Sequence, residues 1–267
     1  MIGVKAGPRR GSTIARAGLG WLGLAILATV WQLLGMELHT AVFPTFITSL
    51  VAAWHVVTSS TLTTDIIPSL ERTAAGFLIS AIIGIAAGMV IGHYEAVRDW
   101  TSAVVDFMRS LPTPLLVPIA IVVFGINGRM VVVTIISAAV WPILINTANG
   151  TSTIEPTMID TAKTYGLRGR KLFLKVVLPA ASPQIFAGLR VALSVSLAVM
   201  VVAEMLGGGS GIGYFIANAQ QSFNIDGSYG GVIVLGCLGW IFDTLFLMFE
   251  RRLLAWQRGT VGGLLDV

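Results

Sequence analysis

Six apolar stretches, each close to the length needed to cross a bilayer as a helix, dominate this chain. A hydrocarbon core about 30 Å thick takes roughly 20 helical residues. By that measure spans fall at 19–36, 67–92, 110–125, 130–149, 185–207 and 230–250, the short third one rich in proline. Only 11% of the residues are charged and 55% are hydrophobic, with a mean hydropathy of +0.85, which excludes a water-soluble domain. The expected fold is therefore all-α: a polytopic integral membrane protein of about six spans, forming one membrane domain over 1–267. The 30 glycines and nine methionines suit helices packed closely in lipid.

The net charge of +4 points to membrane topology, not to nucleic acid, because Lys and Arg lie at the ends of the apolar runs and between them. With the N-terminus inside, the inner segments carry Lys5, Arg9, Arg10 and Arg16, then Arg98, then Lys163, Arg168, Arg170, Lys171 and Lys175, then Arg251, Arg252 and Arg258. The outer segments carry only Arg129, with Arg72 near an outer span end. This asymmetry predicts a cell-membrane protein with both termini cytoplasmic. The stretch after Arg16 is too long for a secretory signal and no A-x-A site follows it, so it reads as a retained first span. Cys237 is the only cysteine, which rules out an intrachain disulfide, and His39, His55 and His93 are too scattered for a metal site.

Two segments outside the spans are patterned. Phe43, Ile47, Leu50, Val51 and Trp54 have near-helical spacing and predict a short amphipathic helix on the outer membrane face. In span two, Gly76, Ser80, Gly84, Gly88 and Gly92 recur every fourth residue, and the stripe predicts close packing of a partner helix, with a hinge or pore lining as the weaker alternative.

The segment from Ile154 to Pro183 is long, basic and amphipathic. Met158, Ile159, Ala162 and Tyr165 can share one helical face, with Asp160, Lys163 and Thr164 towards the other. Gly166 ends that helix, and a second run from Lys171 to Val177 is expected to be closed by Leu178 and Pro179. Two short helices set at an angle make a knob suited to a cleft on a cytoplasmic partner.

Within it, Asp160, Thr161 and Ala162, then Gly166 after three residues, Val176 after nine more, and Leu178–Pro179 after one more, resemble the EAA loop of ABC importer permeases. Asp160, Thr161 and Val176 depart from that family's Glu, Ala and Ile. Phe43–Thr45, Ser69–Phe77, Arg109–Asn127, Ala203–Glu204 and Gly207–Ile216 are similar to the permeases that serve nitrate, sulfonate, taurine and related solutes.

The resemblance implies a type I importer-like permease, with its core over about 66–250. It implies that 154–183 is the coupling loop that docks on a separate cytoplasmic ATPase, with Asp160, Ala162, Lys163, Gly166 and Leu167 at or beside the interface. It also implies an extracytoplasmic solute-binding protein, a second permease copy and alternating access driven by the partner's ATP hydrolysis. No cofactor is expected, and no GxxxxGK[ST] loop is present to hold ATP.

Candidate pathway or gate residues are Pro112, Thr134, Ser137, Trp141, Asn146 and Glu204. Thr134, Ser137 and Trp141 share a helix face, with Pro142 expected to kink the span, but small polar residues also serve ordinary helix contacts. Pro112, Pro114 and Pro118 break regular helix where backbone must face protein or water, as pathway lining or as a structural bend. Glu204 is either an intramembrane functional carboxylate or a partner for the backbone of the glycine-rich turn at Gly207. Arg190 is expected to snorkel to phosphates or bridge to the loop. An ion-gradient-driven secondary transporter is the alternative function, though no internal repeat or mid-depth carboxylate marks one. An intramembrane enzyme lacks a histidine at catalytic depth.

Overall fold

A computed structural model describes residues 11–38, 40 and 42–255, with side chains from Leu19 onward. Lys5, Arg9, Arg10, His39, Arg258 and the Arg16 side chain, which enter the charge and metal readings, lie outside the described residues. Every regular element among the described residues is helical.

The chain runs through α1 (Gly11–Leu38), α2 (Phe46–Thr58), α3 (Ile67–His93), α4 (Glu95–Ser110), α5 (Leu116–Phe124) and α6 (Gly128–Ser152). It continues through α7 (Pro156–Thr164), α8 (Gly169–Leu172), α9 (Leu178–Gly207), α10 (Ile212–Gln221) and α11 (Ile225–Leu253). Five helical runs are long and apolar enough to cross a membrane: Leu19–Leu38, Leu62–His93, Gly128–Ser152, Gly169–Gly207 and Ile225–Leu253. The bent pair of Glu95–Ser110 and Thr113–Phe124 makes a sixth if it is one span.

Several helix ends are written in local sequence. Asn127 Oδ1 accepts from the Arg129 and Met130 backbone N–H groups at 2.9 and 3.1 Å to start α6, and Asn224 Oδ1 accepts from Gly227 N at 3.0 Å to start α11. Pro142 lies inside α6, which runs on across it, and its carbonyl takes a bond from Asn146 Nδ2 at 2.8 Å.

Two expectations are corrected. The third span is not a run over 110–125 but an elbow of 83° between α4 and the short helix that follows. Glu95, Arg98, Asp99, Asp106 and Arg109 make α4 amphipathic, and Pro112 and Pro114 remove the N–H groups that would carry it straight on. Leu178 and Pro179 do not close a short helix. Leu178 N–H reaches back to Phe173 O in a π-turn over Phe173–Val177, and Pro179 sits in the first turn of α9, where it needs no donor. The short amphipathic helix expected before span two is α2, which packs on protein through Ser49, Ala53 and Val56 and leaves Ile47, Leu50, Val51 and Trp54 pointing outwards.

The bundle centres on α6, sandwiched between α3 and α9. The small-residue stripe of α3 lies against α6: a Cβ on Gly76 would meet Ile135 Cγ2 at 2.6 Å, and one on Gly88 would meet Leu144 O and Thr147 Cβ, both at 2.6 Å. On the other side Gly188 of α9 comes so near that a Cβ would lie 2.9 Å from Pro142 O. Backbone cannot give way as a side-chain tip can. Gly88→Ala is therefore expected to cost about 1–3 kcal/mol and to lower the unfolding midpoint in detergent. Gly236→Ala, where a Cβ meets nothing within 4 Å, should leave it unchanged.

Among its described side chains, helix α1 touches the rest near its C-terminal end. Trp31 Nε1–H donates to Pro44 O at 3.0 Å, and its ring packs against Phe43, Phe46 and Tyr229. Along most of its described length its apolar side chains are exposed.

Candidate translocation face and coupling loop

Glu204 has no exposed surface, and the structure surrounds it with donors. It takes a hydrogen bond from the Ser69 hydroxyl (2.7 Å to Oε2), one from Gly213 N–H (3.1 Å to Oε2) and an ion pair with Arg72 Nη1 (3.0 Å to Oε1). Arg72 also donates to Ser210 O at 2.8 Å and to Ser210 Oγ at 2.7 Å. The residue at the N-cap of α10 is Gly211, whose φ of +120° suits glycine and which has no side chain to cap with. Its caps come from elsewhere in the chain. Asp65 Oδ1 accepts from Gly211 N at 3.0 Å, Ser69 Oγ from Ile212 N at 2.9 Å, and Glu204 from Gly213 N.

One network thus ties the start of α3, the end of α9 and the glycine-rich turn together. A Cβ on Gly211 would fall within 2.5 Å of both Glu204 carboxylate oxygens, so the turn is shaped around the carboxylate. Of the two readings of Glu204, the backbone-partner geometry is present.

At the α4–α5 elbow lies a cavity of about 480 Å³. Arg109, Pro112, Pro114, Trp141, Pro142 and Val191 are among the residues lining it, so the structure brings Pro112 and Trp141 together. Thr134 is buried and its hydroxyl bonds back to Met130 O at 2.8 Å, outside the cavity. Ser137 is half-buried and bonds to Thr134 O at 2.8 Å. Asn146 is half-buried and turned to its own helix, against Gly188. Glu204 stands apart, in the turn network.

Beside the cavity, the exposed strip of α9 carries Gln184, Ala187, Val191, Ser194 and Ala198. Lipid-facing helices expose large apolar groups, as α11 does with Trp240, Ile241, Leu245, Met248 and Phe249. A strip whose only larger apolar side chain is Val191, the rest being small or polar, fits water or a protein partner instead. Sequence reasoning missed this strip. The absence of Leu, Ile or Phe at these recurring positions of α9 was the available signal.

At the opposite end of the bundle from Glu204, α7 ends in a Schellman turn. Leu167 N–H donates to Ala162 O at 3.0 Å and Gly166 N–H to Lys163 O at 2.9 Å, with Gly166 at φ +79°. The faces of α7 differ from expectation. Ala162 is buried and Ile159 half-buried against the bundle, whereas Met158 (48% exposed) and Tyr165 (83%) point outwards with Thr161. Asp160 and Lys163 pair at 3.1 Å and remain exposed, and Leu167 is half-buried. A helix of nine residues buries only part of its apolar set, and its spacing cannot say which part. The contact Arg190 makes is within the bundle, not with the loop. Arg190 pairs with Asp243 of α11, Nε to Oδ1 at 3.2 Å and Nη2 to Oδ2 at 3.3 Å.

Residues 80–255 match the family of binding-protein-dependent transport system inner membrane components. The bicarbonate transport system permease CmpB of Synechococcus elongatus is 38% identical over 189 residues, covering 70% of this chain and 68% of that one. The nitrate import permease NrtB of Leptolyngbya laminosa is 33% identical over 251 residues, covering 91% and 89%. Among solved structures, a chain of the inward-facing MetNI methionine ABC transporter superposes with a TM-score of 0.62 at 18% identity, covering 75% of this chain and 96% of that chain.

Proposed function

Because the chain belongs to the family of binding-protein-dependent transport system inner membrane components, we propose that it forms the solute pathway of an ABC importer for a small oxyanion, driven by ATPase subunits that dock on 154–183. The observation that carries the docking is the α7 turn: Gly166 halts the helix in a left-handed conformation, and the exposed Met158 and Tyr165 offer an apolar face with no cover in this chain. Asp160, Lys163, Gly166 and Leu167 border that face, while Ala162 acts from beneath as its packing contact. On this assignment the loop and both termini are cytoplasmic, and the Glu204 turn faces outward towards a solute-binding protein.

The exposed strip of α9, with Trp141 and Pro112, lines the pathway or meets a second copy of the chain across it. The solute class rests on the relatives, which carry bicarbonate and nitrate in their names. ATP hydrolysis belongs to the partner, and this chain converts the partner's closure into movement of α7 and the helices fused to it.

The docking is tested by affinity purification from detergent with the cognate ATPase co-expressed. The wild-type chain should retain the ATPase in a fixed stoichiometry. A monodisperse chain that retains none, at concentrations well above those of the purified complex, would remove the loop's assigned role.

A further inference from the structure

We infer that Arg190, with Ser194 one turn along α9, forms a transient oxyanion-binding step within the pathway, and that Asp243 is the counter-ion that keeps it weak. The inference rests on the oxyanion reading above and names the group that would recognise the solute.

Arg190 lies seventeen residues before Gly207, the end of α9, which places it about 25 Å along the helix from the turn end, deep in the half of the bundle nearer the loop. Its side chain is 47% exposed and that of Asp243 41%. An ion pair this open along a membrane-spanning helix belongs beside water or protein, not against hydrocarbon. It borders the exposed strip of α9, on the side facing α11, where Phe186 packs at a tilt against Phe246 and Phe249, with ring centres 6.1 and 6.2 Å apart. The aromatic cluster lies on the loop side of the pair.

The chemistry fits a planar anion. Asp243 occupies only the Nε–Nη2 edge of the guanidinium, and among the described residues Nη1 has no hydrogen-bond partner. The free edge retains parallel N–H donors of the kind that grip two oxygens of a carboxylate-like or trigonal oxyanion. Ser194 is exposed and its hydroxyl bonds to nothing among the described residues, so it can add a third donor. A bare cation would hold an anion too long for transport. A pathway site must bind well enough to admit the ion and weakly enough to release it, and the adjacent carboxylate provides that balance.

The test uses the full complex with its ATPase and Cys237→Ser as background, since Cys237 is the only cysteine. Ser194→Cys is labelled with a sulfonate-bearing and a quaternary-ammonium methanethiosulfonate of similar size, in nucleotide-free and ATP-trapped complexes. The sulfonate reagent should react faster in at least one state, and the preference should fall about tenfold or more with Arg190→Gln. Arg190→Asp with Asp243→Arg keeps an ion pair but moves the cation to α11, so the complex should still assemble with its ATPase while uptake of labelled nitrate or bicarbonate falls about tenfold.

A Ser194→Cys unreactive in both states, a preference indifferent to residue 190, or wild-type uptake by the exchange variant would overturn the site. If the wild-type complex carries a neutral solute and neither anion, the oxyanion reading itself fails, and the labelling preference then reports only the local charge.

Discussion

Glu204→Ala is expected to leave a chain that inserts but does not survive purification as a monodisperse species. The carboxylate is fully buried and receives Ser69, Arg72 and Gly213 at once. Its removal leaves the guanidinium of Arg72, whose side chain is only 15% exposed, with its Ser210 bonds but no counter-charge, and leaves the Gly213 N–H at the start of α10 unpaired. Breaking one side of a buried, hydrogen-bonded pair costs about 3–5 kcal/mol, a large part of the stability an ordinary domain possesses. Glu204→Gln keeps an acceptor for Gly213 and loses the charge, so it should fall between wild type and Ala. Thermal unfolding in detergent reads the order directly. An Ala variant that melts with the wild type would show that Ser210 and the turn hold α10 without the carboxylate.

Gly166→Arg is expected to abolish recovery of the ATPase with the purified chain, by at least about tenfold, with no loss of insertion. At φ +79° an L side chain costs about 1–2 kcal/mol, which loosens the turn that sets α7 against α8. The new side chain meets nothing of its own chain, because a Cβ at Gly166 has no atom within 4 Å. The damage is therefore confined to the exposed surface, where a bulky cation would project beside Met158 and Tyr165. Gly166→Asn tolerates the left-handed conformation better and should retain part of the ATPase. Full retention by the Arg variant would place the docking contact elsewhere.

The apolar runs marked the positions of the long helices, because each must satisfy its own backbone within lipid and so carries its length in its sequence. The elbow was half legible: Pro112 and Pro114 announced a break, but the turn of 83° depends on where α6 and α9 leave room. The Glu204 network was the least legible part of the site. Ser69 and Arg72 lie more than 130 residues away in sequence, and only the fold brings them together. A hint existed, since Asp65, Ser69 and Arg72 recur at helical spacing and so share one face that seeks a polar partner. The loop's spacing identified α7 and the turn at Gly166. Which of Met158, Ile159, Ala162 and Tyr165 stays uncovered depended on how the bundle sits behind them.

The central claim is that this chain carries solute only as part of an ATP-driven complex. The most direct measurement is uptake of labelled nitrate and bicarbonate into proteoliposomes holding the chain alone, the chain with its ATPase, or both with the binding protein. Uptake should require the ATPase, internal or external ATP on the ATPase side, and the binding protein, and should persist when ion gradients are dissipated. Uptake by the chain alone, driven by an imposed ion gradient and indifferent to ATP, would contradict the account and identify a secondary transporter.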